Sequence, residues 1–143
     1  MHNSLTGVII VETGFLLPYA ILILAPYFDA FPRELEDAAR VDGCTRFSAF
    51  LRVILPLSTP GLAACGVIMF IISWHELLIP LVLNNKLEFM TLPMVLSSLV
   101  GDTNILFNVM MALALLALIP TVLMVFLLQK YVVHGLSAGA VKG

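Results

Sequence analysis

Residues 103–129 read TNILFNVMMALALLALIPTVLMVFLLQ and contain no charged side chain. A helix needs roughly 20 apolar residues to cross a hydrocarbon core about 30 Å thick, so this stretch predicts a transmembrane helix. Residues 7–28 form a similar stretch with a single acidic residue, and residues 60–83 form another that is interrupted by His75 and Glu76. The sequence therefore predicts an all-α fold of polytopic transmembrane helices, with three spans.

Residues 89–101 are also apolar, but they are too few to cross a bilayer, and Pro93 interrupts them. We expect this segment to be interfacial or re-entrant.

Composition restricts the class of protein further. The chain is 61% hydrophobic and 11% charged, and its mean hydropathy is +1.08, whereas soluble domains carry about 25% charged residues. Seven Lys and Arg against nine Asp and Glu leave no basic surface for nucleic acid. Cys44 and Cys65 lack metal-ligand spacing and are too few for a disulfide scaffold. These numbers indicate an integral protein of the lipid bilayer, with no metal site.

Basic residues are concentrated on one side of the predicted membrane. Residues 29–59 hold all four arginines of the sequence, and the tail after residue 129 holds Lys130 and Lys142, whereas Lys86 stands alone between the second and third spans. Lys and Arg favour cytoplasmic loops. We therefore expect residues 29–59 and the C-terminus in the cytoplasm and residues 84–102 outside.

This topology places Met1 outside, and the residues before Gly7 offer nothing that would help to translocate it. We expect residues 1–143 to be one transmembrane domain that is incomplete at its amino terminus.

Residues 29–59 contain signals for a helical hairpin. Pro32 suits the first position of a helix over 33–42, and Gly43 suits the left-handed position just after it. Oppositely charged residues four apart should pair along this helix, as Arg33 with Asp37 and Glu36 with Arg40.

A second helix should follow Gly43, with Thr45 as its cap. Its apolar residues recur at helical spacing, at Phe47, Phe50, Leu51 and Ile54. Pro56 and Pro60 should break the chain before the second span. Spacing alone leaves two interpretations open: an amphipathic hairpin on the inner lipid surface, or a docking element for a soluble partner.

The same hairpin resembles the EAA motif of the membrane permeases of binding-protein-dependent ABC importers. That motif reads Glu-Ala-Ala, three residues, Gly, nine residues, Ile, any residue, Leu-Pro. The chain has DAA at residues 37–39, then Gly43 and then VILP at residues 53–56, so that Asp37 replaces Glu and Val53 replaces Ile. The tail GLSAGAVKG is similar to that of the carbohydrate (maltose-type) branch, as is SWHE at residues 73–76, except for His75.

The resemblance implies a permease subunit in a prokaryotic inner membrane, multi-pass, with a second permease subunit, cytoplasmic ATPase subunits and an extracytoplasmic solute-binding protein as partners. It implies import of sugars, and no enzyme activity or bound cofactor in this chain, since ATP would bind the ATPase subunit. The absence of a GxxxxGK[ST] sequence agrees with this. The residues that would couple to the ATPase are Glu36, Asp37, Ala38, Ala39, Asp42, Gly43, Leu55 and Pro56.

Four polar or ionisable groups within the predicted spans are candidates for lining the translocation pathway: Glu12, Trp74, His75 and Glu76. An interfacial position near the outer membrane surface would explain all four equally well. His75 and Glu76 begin an HExxH pattern, but Ile79 stands where the second His is required, which argues against a zinc hydrolase.

Two other functions remain as alternatives. One is a small self-oligomerising membrane pore without an ATPase partner, whose hairpin would tolerate substitution. The other is an intramembrane hydrolase that uses His75 and Glu76, for which the sequence offers no convincing nucleophile.

Overall fold

The computed structural model describes residues 3–100 and 107–140, and these residues form helices and no strand. The predicted all-α fold is therefore confirmed. In chain order the α-helices are α1 (Leu5–Asp29), α2 (Arg33–Val41), α3 (Arg46–Ala49), α4 (Leu55–Leu57), α5 (Thr59–Trp74), α6 (Leu78–Leu83), α7 (Leu92–Val100) and α8 (Phe107–Ala140). A π-helical segment, Phe50–Ile54, joins α3 to α4, and a 3-10 turn, Leu87–Phe89, precedes α7.

Among the residues that the structure describes, two helices are long and apolar enough to cross a membrane by themselves. They are α1, with 25 residues, and the Phe107–Leu127 part of α8, with 21 residues. Most of their large apolar side chains are not covered by other residues of this chain. Helices that are apolar on all sides are stable when lipid or neighbouring helices surround them. These two helices support the predicted first and third spans, although residues 103–106 of the third lie outside the described residues.

The predicted second span, residues 60–83, corresponds to two helices. Helix α5 ends at Trp74, and α6 begins at Leu78 after a short turn. Pro80 accounts for the interruption, because it has no N–H to donate and its ring would clash with the carbonyl of residue 76 in a continuous helix. Within residues 3–100 and 107–140, a third span of sufficient length results only if Arg46–Leu57 and Thr59–Trp74, which are bent by 70° to one another, cross the membrane as one bent helix.

The predicted break before the second span is present as the 70° bend, but it lies at Ser58, between the two prolines, and not at Pro56. Pro56 lies within α4, and the helical run stops two residues later. In an α-helix the ring of Pro56 would clash with the carbonyl of Arg52, and the wider π-helical turn directly before it relieves that clash. Pro60 is the second residue of α5, where its missing N–H removes no helical hydrogen bond.

Helix α7 occupies most of the apolar segment 89–101. Its nine residues span only about 14 Å at 1.5 Å per residue, which is half of a bilayer core. Asn84, which is almost fully buried, donates from Nδ2 to the carbonyl of Phe89 at 3.3 Å and so closes the loop before α7. An interfacial or re-entrant position for α7 remains a prediction.

The described residues form two compact units. One comprises those of Met1–Pro18 and Met69–Leu127, and the other those of Tyr19–Ile68 and Leu128–Gly143. The hairpin and the bend lie in the second unit. All four candidate pathway groups, Glu12, Trp74, His75 and Glu76, lie in the first unit.

Candidate functional site

The hairpin, defined here as α2, the turn 42–45 and α3, is shaped by Gly43. Its φ of +85° is in the left-handed region, which side chains with a Cβ rarely adopt. The N–H of Gly43 donates to the carbonyl of Arg40 at 3.0 Å, and the N–H of Cys44 donates to that of Ala39 at 3.0 Å. This pair of bonds is a Schellman motif, which ends α2 and reverses the chain. The predicted left-handed glycine is confirmed.

One of the two helix caps in the hairpin is as predicted, and the other is shifted by one position. Thr45 caps α3 as predicted, since its Oγ1 accepts a hydrogen bond from the N–H of Ser48 at 3.2 Å. Pro32 is the N-cap residue of α2 and not its first helical residue, with ψ of 132°. At either position the missing N–H has no helical partner to lose. Helix α2 ends at Val41, and Asp42 is its C-cap.

The predicted ion pairs along α2 are wrong. Asp37 pairs weakly with Arg40, at 3.9 Å and three residues apart, and Glu36 pairs with Arg46 of α3, at 3.3 Å. The reversal at Gly43 brings Arg46 back towards α2, so a contact between helices replaces one along the helix. These charges are exposed, and pairs of this kind contribute about 0.2–1 kcal/mol.

Exposure divides the candidate coupling residues into three groups. Ala39 is buried, Glu36 and Leu55 are half-buried, and the others are exposed. The Asp37 side chain is 71% exposed even with Arg40 nearby. Val41 and Phe47, on either side of the turn, are 87% and 73% exposed. The hairpin thus presents an available carboxylate together with apolar side chains.

An open groove of about 690 Å³ runs along this charged face of the hairpin. Its walls carry three arginines and two carboxylates, namely Arg33, Arg40, Arg46, Glu36 and Asp37. Charges of both signs, together with exposed apolar residues, are what a protein partner can contact. The groove offers no enclosed site for a small molecule.

Ser58 and Thr59 satisfy the backbone at the bend, and sequence reasoning missed both. The carbonyl of Ile54 accepts from the N–H of Ser58 at 2.9 Å and from its Oγ at 2.7 Å, and Ser58 is fully buried. Pro60 has no N–H for the carbonyl of Pro56, and the Thr59 hydroxyl donates to that carbonyl at 2.7 Å. The sequence does contain a signal for this role, because Ser58 and Thr59 lie between two prolines that are four residues apart.

Trp74 and His75, at the end of α5, contact α8 on both sides of Pro120. Trp74 Nε1 donates to the carbonyl of Ala117 at 3.0 Å, and His75 Nε2 lies within hydrogen-bonding distance of Thr121 Oγ1, at 3.2 Å. Pro120 disturbs the hydrogen-bond ladder of α8 at this place. The carbonyl that Pro120 leaves without its helical N–H donor is that of Leu116, so the Trp74 and His75 contacts lie beside this carbonyl and not on it.

Glu76 acts as a cap. Its Oε1 accepts from the N–H of Leu78 at 2.7 Å and from the N–H of Ile79 at 3.2 Å, so the carboxylate lies at the positive end of α6. In an HExxH zinc site the second histidine would stand at residue 79. Here this residue is Ile79, which contributes its backbone N–H to the cap. This arrangement explains Glu76 without catalysis.

Glu12 differs from the other three candidates for the pathway. It is half-buried on α1, and its Oε1 is shielded from solvent and accepts no hydrogen bond from the residues that the structure describes. An acceptor without a donor is costly in an apolar environment.

The fold and the hairpin together define an all-α membrane protein with a charged, exposed hairpin between hydrophobic helices. The chain belongs to the family of binding-protein-dependent transport system inner membrane components. The sequence model of this family matches residues 1–138. The resemblance noted at residues 37–56 is thereby confirmed.

Several curated relatives are similar over the whole chain. A diacetylchitobiose uptake system permease of Streptomyces coelicolor is 44% identical over 146 residues, which cover 100% of this chain and 52% of the relative. A sulfoquinovosyl glycerol transport system permease of Agrobacterium fabrum is 36% identical, with 99% and 50% covered. A trehalose transport system permease of Mycobacterium tuberculosis is 36% identical, with 100% and 53% covered. The chain spans about half the length of these relatives.

Proposed function

We propose that the chain forms part of the membrane-spanning permease subunit of an ATP-driven ABC importer. It would contribute to the translocation pathway and carry no enzyme activity, because ATP would bind and be hydrolysed on a separate cytoplasmic subunit. Family membership and the two long apolar helices support this proposal. The observation that carries the coupling role is the exposed carboxylate of Asp37 beside the Gly43 turn, at the position of the acidic residue in the family's motif.

The hairpin and the C-terminus would face the cytoplasm. The distribution of Lys and Arg supports this orientation, because four arginines lie in residues 29–59 and one lysine lies in residues 84–102. An ATPase subunit on that side could contact the hairpin directly.

The hairpin is suited to move as one body. The Schellman motif fixes the turn, the pair of Glu36 and Arg46 joins its two helices, and the side chains of Ser58 and Thr59 satisfy the carbonyls at the bend. A short segment held in this way can pass a displacement to α5, whereas a flexible loop would absorb it.

The proposed solute class is carbohydrate. Several relatives are named for the uptake of diacetylchitobiose or for the transport of trehalose or arabinooligosaccharides. Glu12 is the stronger candidate for contact with the solute, because its Oε1 accepts no hydrogen bond from the described residues, and sugar hydroxyls could donate to its carboxylate. Trp74, His75 and Glu76 are engaged within the chain.

A solute-binding protein outside the membrane and a second permease subunit complete the proposed assembly. The family's description names binding-protein-dependent transport, which supports the first of these partners.

Asp37→Ala tests the docking of the ATPase. Loss of one member of a buried charge pair costs roughly 2–5 kcal/mol, so we expect ATPase that co-purifies with the permease to fall at least about tenfold. Glu34→Ala is the matched control, because Glu34 is also an exposed acidic residue of α2 but lies outside the motif. The amount of permease in the membrane should be equal in both variants. Wild-type retention of ATPase by Asp37→Ala would contradict the proposal.

The self-oligomerising pore is not favoured. It requires no soluble partner, and it predicts that Asp37→Ala and Glu34→Ala behave alike.

A further inference from the structure

The end of α1 carries a cluster of aromatic side chains. The ring of Tyr27 meets those of Phe28 and Phe31 edge to face, with centroids 6.3 and 5.6 Å apart. Such pairs hold rings in defined orientations and contribute about 0.5–1.5 kcal/mol beyond the area that they bury. Tyr27 is therefore held on two sides by its own segment.

Phe28 extends this cluster to the helices that follow the hairpin. Its centroid lies 6.1 Å from that of Phe50, the first residue of the π-helical segment, at an interplanar angle of 45°. The end of α1 thus contacts the chain on the hairpin side of the bend at Ser58.

Tyr27 contacts the other side of the same bend. Gly61, in the first turn of α5, is buried, and a Cβ added to it would lie 2.6 Å from Cε1 and Cζ of the Tyr27 ring. The ring therefore packs directly on the glycine backbone, at a distance that no other residue type permits without displacement of the ring. This close approach is the reason for a glycine here. Gly66, on the same helix, has open space at its Cβ position.

We propose that the packing of Tyr27 on Gly61 is a coupling contact between α1 and α5. Together with the contact of Phe28 and Phe50, it joins the end of α1 to the helices on both sides of the 70° bend. Displacement of the hairpin would then move α1 and α5 together. This inference rests on the proposed function, since it requires an ATPase that moves the hairpin. Tyr27 and Gly61 are positioning residues in this account. A displacement passes from one helix to the next through side chains that are packed between them, provided that the helices can adopt two discrete arrangements.

The test measures motion separately from docking. The permease is assembled with its ATPase in membrane vesicles, in a Cys44→Ser, Cys65→Ala background that carries Ile72→Cys near the end of α5. The rate of labelling by a fluorescein maleimide is measured without nucleotide and with ATP plus vanadate, and co-purified ATPase is measured on the same samples. The variants are Gly61→Ala, Tyr27→Leu, the double variant, Tyr27→Phe and Gly66→Ala.

We expect ATP plus vanadate to change the labelling rate about fivefold or more in the parent chain, in Gly66→Ala and in Tyr27→Phe, which keeps the ring. Gly61→Ala and Tyr27→Leu should each weaken this response without abolishing it, while they retain the ATPase. Alanine at residue 61 should have no further effect when residue 27 is leucine, because the clash is absent, and such non-additivity is the signature of direct contact.

Three results would overturn the inference. They are a parental response in Gly61→Ala, an equal loss in Gly66→Ala, or loss of the ATPase itself from Gly61→Ala. Failure of the proposed function would give different results: Asp37→Ala would retain its ATPase, and labelling of the parent chain would not respond to nucleotide.

Discussion

The hairpin and the turn after α5 are both polar interruptions in an apolar chain, and they differ in where their hydrogen-bonding groups find partners. Trp74, His75 and Glu76 contact groups of the chain itself, within α8 or α6. On the hairpin, Asp37 is largely exposed, and Val41 and Phe47 are exposed apolar residues. Polar groups satisfied inside the chain stabilise its fold, whereas exposed charge beside exposed apolar surface is typical of an interface.

This comparison leads to opposite expectations for substitutions in the two regions. Changes in the hairpin should affect docking of the ATPase with little effect on stability. Changes at the end of α5 should lower stability and leave docking unaffected.

The largest effect should come from Gly43→Val. A β-branched residue at a φ of +85° is strained, and the Schellman motif that sets the direction of the turn would be lost. We expect a decrease of at least about tenfold in co-purified ATPase, at unchanged membrane insertion. Gly43→Asn is the matched control, because asparagine tolerates the left-handed region, and it should retain most of the ATPase. Equal retention by the two variants would remove Gly43 from the account of docking.

A smaller effect is expected from Trp74→Phe, which keeps an aromatic ring and removes the indole donor. The carbonyl of Ala117 then loses a partner beside Pro120, and hydrogen bonds between membrane helices contribute about 0.6–1.7 kcal/mol. Thermal unfolding in detergent should show a loss of stability of about this size, with ATPase retention unchanged. Ile72→Val, on an exposed position of the same helix, is the control. A docking defect in Trp74→Phe without loss of stability would contradict the distinction between the two regions.

Local signals in the sequence predicted a large part of this structure. The uncharged stretch 103–129 predicted a long apolar helix, and Gly43 and Thr45 predicted the turn of the hairpin, because each of these features depends on residues close together in the chain. The resemblance at residues 37–56 identified the family.

Predictions that depended on tertiary contacts were less successful. Arg46 takes the place of Arg40 as the partner of Glu36 because the chain reverses between them, and no spacing along one helix shows that. Pro56 and Pro60 were expected to break the chain before the second span, and the break lies between them at Ser58, because the π-helical turn accommodates Pro56 and the side chains of Ser58 and Thr59 satisfy the carbonyls at the bend. The approach of Tyr27 to Gly61 joins residues far apart in the sequence and has no local signal.

The most direct test of the account is the accessibility of residue 41, at the exposed tip of α2. Val41→Cys, in the Cys44→Ser, Cys65→Ala background, is treated with a membrane-impermeant maleimide in intact cells and in inside-out vesicles, with and without the ATPase. The account predicts labelling only in inside-out vesicles, and strong protection when the ATPase is bound. Labelling of residue 41 from outside intact cells would contradict it.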